Sequence, residues 1–192
     1  MRRIGSMASS RFSVCVIGHS LLPSTVPLTQ LPSVNVNLTV LRYPGATIDS
    51  LTQELDAINF WSRQYDGIIL CIGGNDLANH SVDTVFPKLC ILARRLKSNT
   101  SFLTICTVEY RSYPVNNRFG VSQENYRRKV VTINRKIKRF TRSIGCRNLD
   151  LCKHRFTTQR TRDGVHLNQG GIAYFCQQIN SVICAYLHTH TS

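Results

Sequence analysis

Asp163 and His166 stand three residues apart in the segment DGVHLNQGG, in a chain that carries only 10 Asp and Glu against 24 Lys and Arg. A turn and a cap explain part of it: Asp163-Gly164 suits a tight turn, and Asn168 suits the N-cap of a helix starting near Gln169. The Asp/His pair lies outside that explanation. On a non-helical loop the two side chains can meet, so that the carboxylate holds one imidazole tautomer and the other ring nitrogen is free to take a proton. Such a base would serve a hydroxyl. Serine is a poor nucleophile until its proton is removed during attack, and Ser20 in IGHSLL, just past an apolar β-branched run, is the candidate. An oxyanion formed there needs donors. The backbone N–H groups of Ser20 and Gly45 (in RYPGATID) and the side-chain amide of Asn75 (in IGGNDL) are the candidates, the glycine allowing close backbone approach.

These residues must be brought together by secondary structure. Short apolar, β-branched runs alternate with amphipathic stretches, which predicts an α/β protein whose parallel sheet is covered by helices on both faces. Five strands are expected near 12–17, 35–42, 67–72, 101–108 and 147–151. Ile48, Leu51, Leu55, Ile58 and Trp61 recur at helical spacing, as do Val82, Val85, Leu89, Leu92 and Leu96. Pro87 then requires a helix start near Asp83, with the proline in the first turn. A long helix is expected over about 122–144 and a last one over 169–187. Residues 12–188 form one domain in this reading, with disordered segments at 1–11 and 189–192. Ligands of such a sheet bind outside the carboxyl ends of its strands, and Ser20, Gly45 and Asn75 each follow a strand.

In this order and setting the residues carry a family resemblance. Gly18-His19-Ser20-Leu21, Gly45, Gly73-Gly74-Asn75-Asp76 and Asp163-Gly164-Val165-His166 resemble the four blocks of the SGNH (GDSL-like) hydrolases, over about 12–187 of the chain. The resemblance implies a flavodoxin-like, three-layer α/β/α sandwich and ester hydrolysis through an acyl-enzyme on Ser20, with no metal or cofactor. YPGATIDSL and YDGIILCIGGNDL are also similar to esterase-like domains carried by some animal retrotransposon proteins. The family's usual Asp before the nucleophile is His19 here, which would place a cation or a donor beside the site. The resemblance extends to RNA-binding domains that keep the fold without a working triad. The G-x-S-x-G elbow of other hydrolases is absent, since Leu22 occupies its last position.

Charge adds a second function class. The formal net charge is +14. Arg127, Arg128, Lys129, Arg135, Lys136, Lys138, Arg139 and Arg142 cluster around the apolar stripe of the 122–144 helix, and between Glu124 and Asp150 no acid offers i,i+4 compensation. A surface of this kind attracts polyanions, so the alternative is an SGNH-fold module that binds nucleic acid non-specifically through phosphates; an anionic membrane surface would satisfy the same charge. No zinc knuckle or helix-turn-helix signature points to sequence-specific readout. Metal-dependent nuclease chemistry through Asp76 and Asp163 would leave Ser20 and His166 without a role.

Several of the eight cysteines fall in strand-like runs (Cys15, Cys71, Cys106) and read as reduced core residues. No C-x-x-C is present, and Cys152-Lys153-His154 lacks a second half, so no metal is expected. No apolar stretch reaches membrane-spanning length. With reduced thiols and no secretory core after Met1, the expected setting is intracellular, in the cytoplasm or nucleus.

Overall fold

Val14, Cys15, Val16 and Ile17 are all fully buried, which a strand achieves only when both of its faces are covered. In the computed structural model, which describes residues 11–28, 36–113, 120–152 and 160–190, this run is the centre of β1 (Phe12–Gly18). It pairs in parallel with β2 (Val36–Arg42) on one side and β3 (Tyr65–Cys71) on the other. Beyond β3 lie β4 (Thr100–Cys106) and the short β5 (Arg147–Leu149), again parallel. The five-stranded order is therefore β2-β1-β3-β4-β5. This is the doubly wound, flavodoxin-like order, and its switch point falls between β1 and β3.

Strand alternation sends side chains to two separate cores. Cys15, Ile17, Ile68 and Leu70 pack with α1 (Ile48–Ala57), α3 (Val82–Lys97) and α4 (Gln123–Ser143). Val14, Val16, Ile69 and Cys71 face the other way, against Phe175, Ile179, Ile183 and Tyr186 of α5 (Gln169–His190). Leu21, Leu22 and Val26 of the segment after β1 share that second core. The three layers are thus one sheet between three long helices and one helix with a packed loop. All eight cysteines are free thiols, and Cys71 and Cys106 meet Sγ to Sγ at 2.8 Å on neighbouring strands.

Local chemistry accounts for where the structure departs from the expected boundaries. The first helix stops at Ala57 and leaves Ile58 and Trp61 outside, because Asn59 is left-handed (φ 50°) and the chain continues in a 3-10 turn, Phe60–Ser62. Pro87 lies in the second turn of α3, since the helix is capped by Ser81 and begins at Val82. The carbonyl it leaves unpaired belongs to Asp83, an exposed residue, so water can satisfy it. A short helix, α2 (Gly74–Asn79), replaces the expected loop after β3. Thr189 and His190 belong to α5 rather than to a tail, and the Thr189 hydroxyl bonds back to the carbonyls of Ala185 and Tyr186 at 2.9 Å each. The expected disorder of residues 1–10, 191 and 192 lies outside the described residues, as do Lys153 and His154.

The ends of β1 and β3 approach closely. A Cβ at Gly18 would stand 2.2 Å from the carbonyl oxygen of Cys71, a backbone atom that cannot swing aside. Gly18→Ala is therefore expected to destabilise the protein by about 1–3 kcal/mol, the usual cost of overpacking, as measured by urea denaturation. An unchanged midpoint would mean that the two strand ends can part freely.

Candidate active site

The loop before α5 is built around one carboxylate. Oδ1 of Asp163 accepts from the backbone N–H groups of Val165 and His166, at 2.9 and 3.0 Å, and from the Thr161 hydroxyl at 2.7 Å. Its Oδ2 meets Nδ1 of His166 at 2.6 Å. Partial burial would raise the Asp163 pKa, but these donors outweigh it and hold the group well below the usual carboxylate range. An ionised carboxylate only accepts, so Nδ1 carries the proton and Nε2 keeps its lone pair. Gly164 makes the turn (φ 68°), and it fits under Ser112 only because it has no side chain: a Cβ would be 1.8 Å from the Ser112 carbonyl oxygen. Asn168 caps α5 as expected, its Oδ1 accepting from Gly171 N at 3.0 Å.

Ser20 follows β1 in a turn and is half-buried. It and His166 line the same cleft of about 1000 Å³, which runs between the loop after β1 and α5. Leu21, Leu22, Pro23, Ile172, Ala173 and Tyr174 give the cleft its mainly apolar wall. The structure contains no Ser20–His166 hydrogen bond. Among the described residues, the backbone N–H of Ser20 and that of Gly45 also meet no acceptor.

Gly45 occupies the left-handed position (φ 77°) of the Tyr43–Ala46 turn, closed by Ala46 N to Tyr43 O at 3.1 Å. Asn75 sits in the first turn of α2 and donates its Nδ2 to the Ala46 carbonyl at 2.8 Å. Asp76 beside it places both carboxylate oxygens on Ile48 N, at 3.0 and 3.2 Å, at the start of α1. The loops carrying the two candidate oxyanion donors are thus bolted together. Neither Gly45 nor Asn75 lines the apolar cleft.

Three charged residues near the site were not anticipated. Glu109 and Arg111 follow β4, each only 3% exposed, and form an ion pair at 3.0 Å. Arg160 donates Nη2 to Tyr110 O at 2.6 Å and Nη1 to the Val165 carbonyl, which anchors the Asp163 loop. The available signal was position: Glu109 and Arg111 stand at the carboxyl end of the fourth strand, where the other strands present their site residues.

His19 is neutral, so of the two expected characters, cation or donor, the cation is ruled out and the donor remains. Burial pushes its pKa down to about 4, and although Glu109 pulls the other way, Arg111 and Arg160 add to the lowering. Its Nδ1 accepts weakly from Leu21 N at 3.4 Å, which leaves the ring proton on Nε2.

The basic face of α4 is more compensated than the sequence suggests. Arg128 pairs with Glu124 at i,i+4, Lys136 with Asp83, and Lys138 with Asp150, while Lys129 donates to Leu77 O. Two of these acids are distant in sequence, out of reach of a local count. Arg127, Arg135, Arg139 and Arg142 are exposed and have no ion pair among the described residues. Also among the described residues, no group of three or more potential metal ligands occurs, and no helix is long and apolar enough to cross a membrane.

No protein-family profile and no curated protein sequence matches the chain. Solved structures do match. A lipase/acylhydrolase from Enterococcus faecalis superposes with a TM-score of 0.65 at 16% identity, covering 91% of this chain and 96% of that one. The acetylxylan esterase Axe2 from Geobacillus stearothermophilus gives 0.69 at 14% identity, covering 89% and 93%. A lipolytic protein of the G-D-S-L family from Veillonella parvula gives 0.66 at 14% identity, covering 89% and 96%. What is shared at these identities is the fold. The chain has the three-layer α/β/α architecture that these lipolytic and esterase structures share.

The buried imidazole generates a stability signature. His19 takes up a proton below its ordinary 6.5 when unfolded but only below about 4 when folded, so unfolding binds a proton between those values. Stability should fall as pH falls through that window, by about 3 kcal/mol at its acid end. Urea unfolding at pH 7.5 and 4.5 should find a larger loss for wild type than for His19→Gln. Equal losses would mean that His19 titrates normally.

Proposed function

We propose that the protein is a serine-dependent, metal-independent ester hydrolase. Ser20 is the nucleophile, His166 the general base and then acid, and Asp163 the carboxylate that orients it. The observation that carries this reading is the Asp163–His166 pair, whose proton is held on Nδ1 while the histidine shares a cleft with Ser20. In the proposed reaction, Ser20 Oγ attacks the ester carbonyl as Nε2 takes its proton; the imidazolium returns that proton to the departing alcohol, and water repeats the sequence on the acyl-enzyme. The oxyanion would meet the N–H groups of Ser20 and Gly45 and the second amide hydrogen of Asn75. Closing the Ser20–His166 hydrogen bond belongs to substrate binding, as in many triads whose contacts tighten only in the complex. The cleft wall suits an ester with an apolar group beside the scissile bond. The names of the structural neighbours, a lipase/acylhydrolase and an acetylxylan esterase, point to the same reaction class.

The exposed arginines of α4 favour a second reading, that of a nucleic-acid-binding module. Arg127, Arg135, Arg139 and Arg142 fall within an arc of about 120° at 100° per residue, so they form one strip. Replacing these four by Gln should weaken binding to every oligonucleotide by a similar factor and flatten its salt dependence. Unchanged binding would leave the strip a solvated surface.

The hydrolase reading is tested with a fluorophosphonate probe and a small activated ester. Wild type should label and turn over, while Ser20→Ala and His166→Ala should each lose on the order of 10³-fold, with the double variant little worse than either. Asp163→Asn should lose activity while remaining folded, because it favours the wrong tautomer. Asn75→Ala should cost about 10²-fold in kcat. No labelling, together with equal rates for wild type and Ser20→Ala, would refute the hydrolase reading.

A further inference from the structure

Arg111 is committed on every side. Its Nε donates to Glu109 Oε1 at 3.0 Å, its Nη1 to the Tyr113 hydroxyl at 3.1 Å, and its Nη2 to Asn75 Oδ1 at 3.1 Å. The guanidinium also lies 5.8 Å from the ring centre of Tyr126. The backbone that carries it is pinned to the start of α4, where Gln123 receives Tyr113 N at 2.7 Å and donates to Arg111 O at 2.8 Å. Gly74 completes the fit, since a Cβ there would stand 2.4 Å from Nη2.

These contacts determine how Asn75 can act. A guanidinium can only donate and a carbonyl can only accept, so Asn75 must turn Oδ1 to Arg111 and Nδ2 to Ala46 O. One Nδ2 hydrogen is spent on that carbonyl and the second is left. A cation bonded to the amide oxygen also draws electron density from the amide nitrogen, which strengthens the remaining N–H as a donor. An apolar pair could fill the space of Glu109 and Arg111 at no loss of stability. It could not hold the Asn75 oxygen.

We infer that Arg111, braced by Glu109 and Tyr113, is a positioning residue that orients and polarises Asn75 as an oxyanion donor. The inference rests on the ester-hydrolase reading above. The guanidinium acts through Asn75, and its effect is felt when negative charge develops on the substrate oxygen.

The test is steady-state hydrolysis of para-nitrophenyl acetate by wild type, Arg111→Lys, Tyr113→Phe, Asn75→Ala and the two doubles that combine Arg111→Lys or Tyr113→Phe with Asn75→Ala. Lysine keeps a positive charge beside Glu109, but a single ammonium cannot span Glu109, Tyr113 and Asn75. Arg111→Lys should lower kcat on the order of 10-fold while KM changes by less than about twofold. Tyr113→Phe removes one brace without stranding a charge, and it carries the test if Arg111→Lys does not fold; it should lose kcat in the same manner by a smaller factor. In the Asn75→Ala background each should cost little more, because the donor they position is gone. Losses that multiply fully with that of Asn75→Ala, or effects confined to KM or to the melting temperature, would reduce the cluster to a structural ion pair and overturn the inference. Absence of fluorophosphonate labelling in wild type, with Ser20→Ala equal to it in rate, would instead overturn the hydrolase reading and the inference with it.

Discussion

The contact between the carboxyl ends of β1 and β3 is the constraint on which the site depends. Gly18 lies against the Cys71 carbonyl with no room for a side chain, and His19 N donates to that same oxygen at 3.3 Å. Because the strand order reverses here, the chain leaves β1 toward α5 and leaves β3 toward α2. Ser20 and Asn75 therefore start from adjacent backbone and diverge into separate layers. The β2–α1 loop joins them through two further ties, Asn75 to Ala46 O and Asp76 to Ile48 N. Three strand ends are thus fixed to one another before any triad contact is considered. The Asp163 loop is added by Arg160 and by Ser112 N to Gly164 O at 2.8 Å.

Burying Glu109, Arg111 and most of Arg160 beside His19 is costly unless the charges satisfy each other. Burial would raise the Glu109 pKa, yet the cations Arg111 and Arg160 outweigh it and keep the group ionised. The same two arginines help keep His19 uncharged. The result is a fixed pattern: one anion paired with Arg111 and within the field of Arg160, beside a neutral imidazole. Such a pattern needs no reorganisation when charge appears nearby, which is the property that an oxyanion site requires.

What was legible in the sequence followed from local physics. The β-branched runs located every strand, because burial on both faces demands continuous apolar residues, and the Asp163–His166 contact followed from loop spacing. The Asn168 cap was legible for the same reason. What escaped depended on partners remote in the chain. Glu109 and Arg111 look like ordinary loop charges in TVEYRSYP, since their burial is decided by α2 and α4 packing above them. Lys136 and Lys138 look unpaired because Asp83 and Asp150 belong to other elements. α2 was hidden by its length and its glycines: Gly73 is left-handed (φ 105°) and Gly74 yields its side-chain space to Arg111, so neither signals a helix. His19 could not be assigned a charge state until its burial was known.

The scarcity of carboxylates bears on both functional readings. Of the 10 acids, all but Glu54 hold a hydrogen bond or ion pair in the described contacts. Asp66 and Asp76 hold backbone N–H groups, Asp76 thereby tying α2 to the start of α1 at the site, five others pair with surface cations, and Glu109 and Asp163 hold side-chain partners beside the site. With so few acids already committed, the surplus of basic side chains has to remain uncompensated at the surface, and the strip on α4 is where it is densest. Uncompensated basic side chains at the surface therefore follow from composition alone, and their presence does not by itself call for a polyanion partner. The placement of Glu109 and Asp163 does not follow from composition. Asp163 holds Nδ1 of His166 and Glu109 holds Arg111, contacts that the proposed hydrolase would use inside a protein whose net positive charge favours negative charge developing on an ester. That selectivity is why the catalytic reading takes precedence over the binding one.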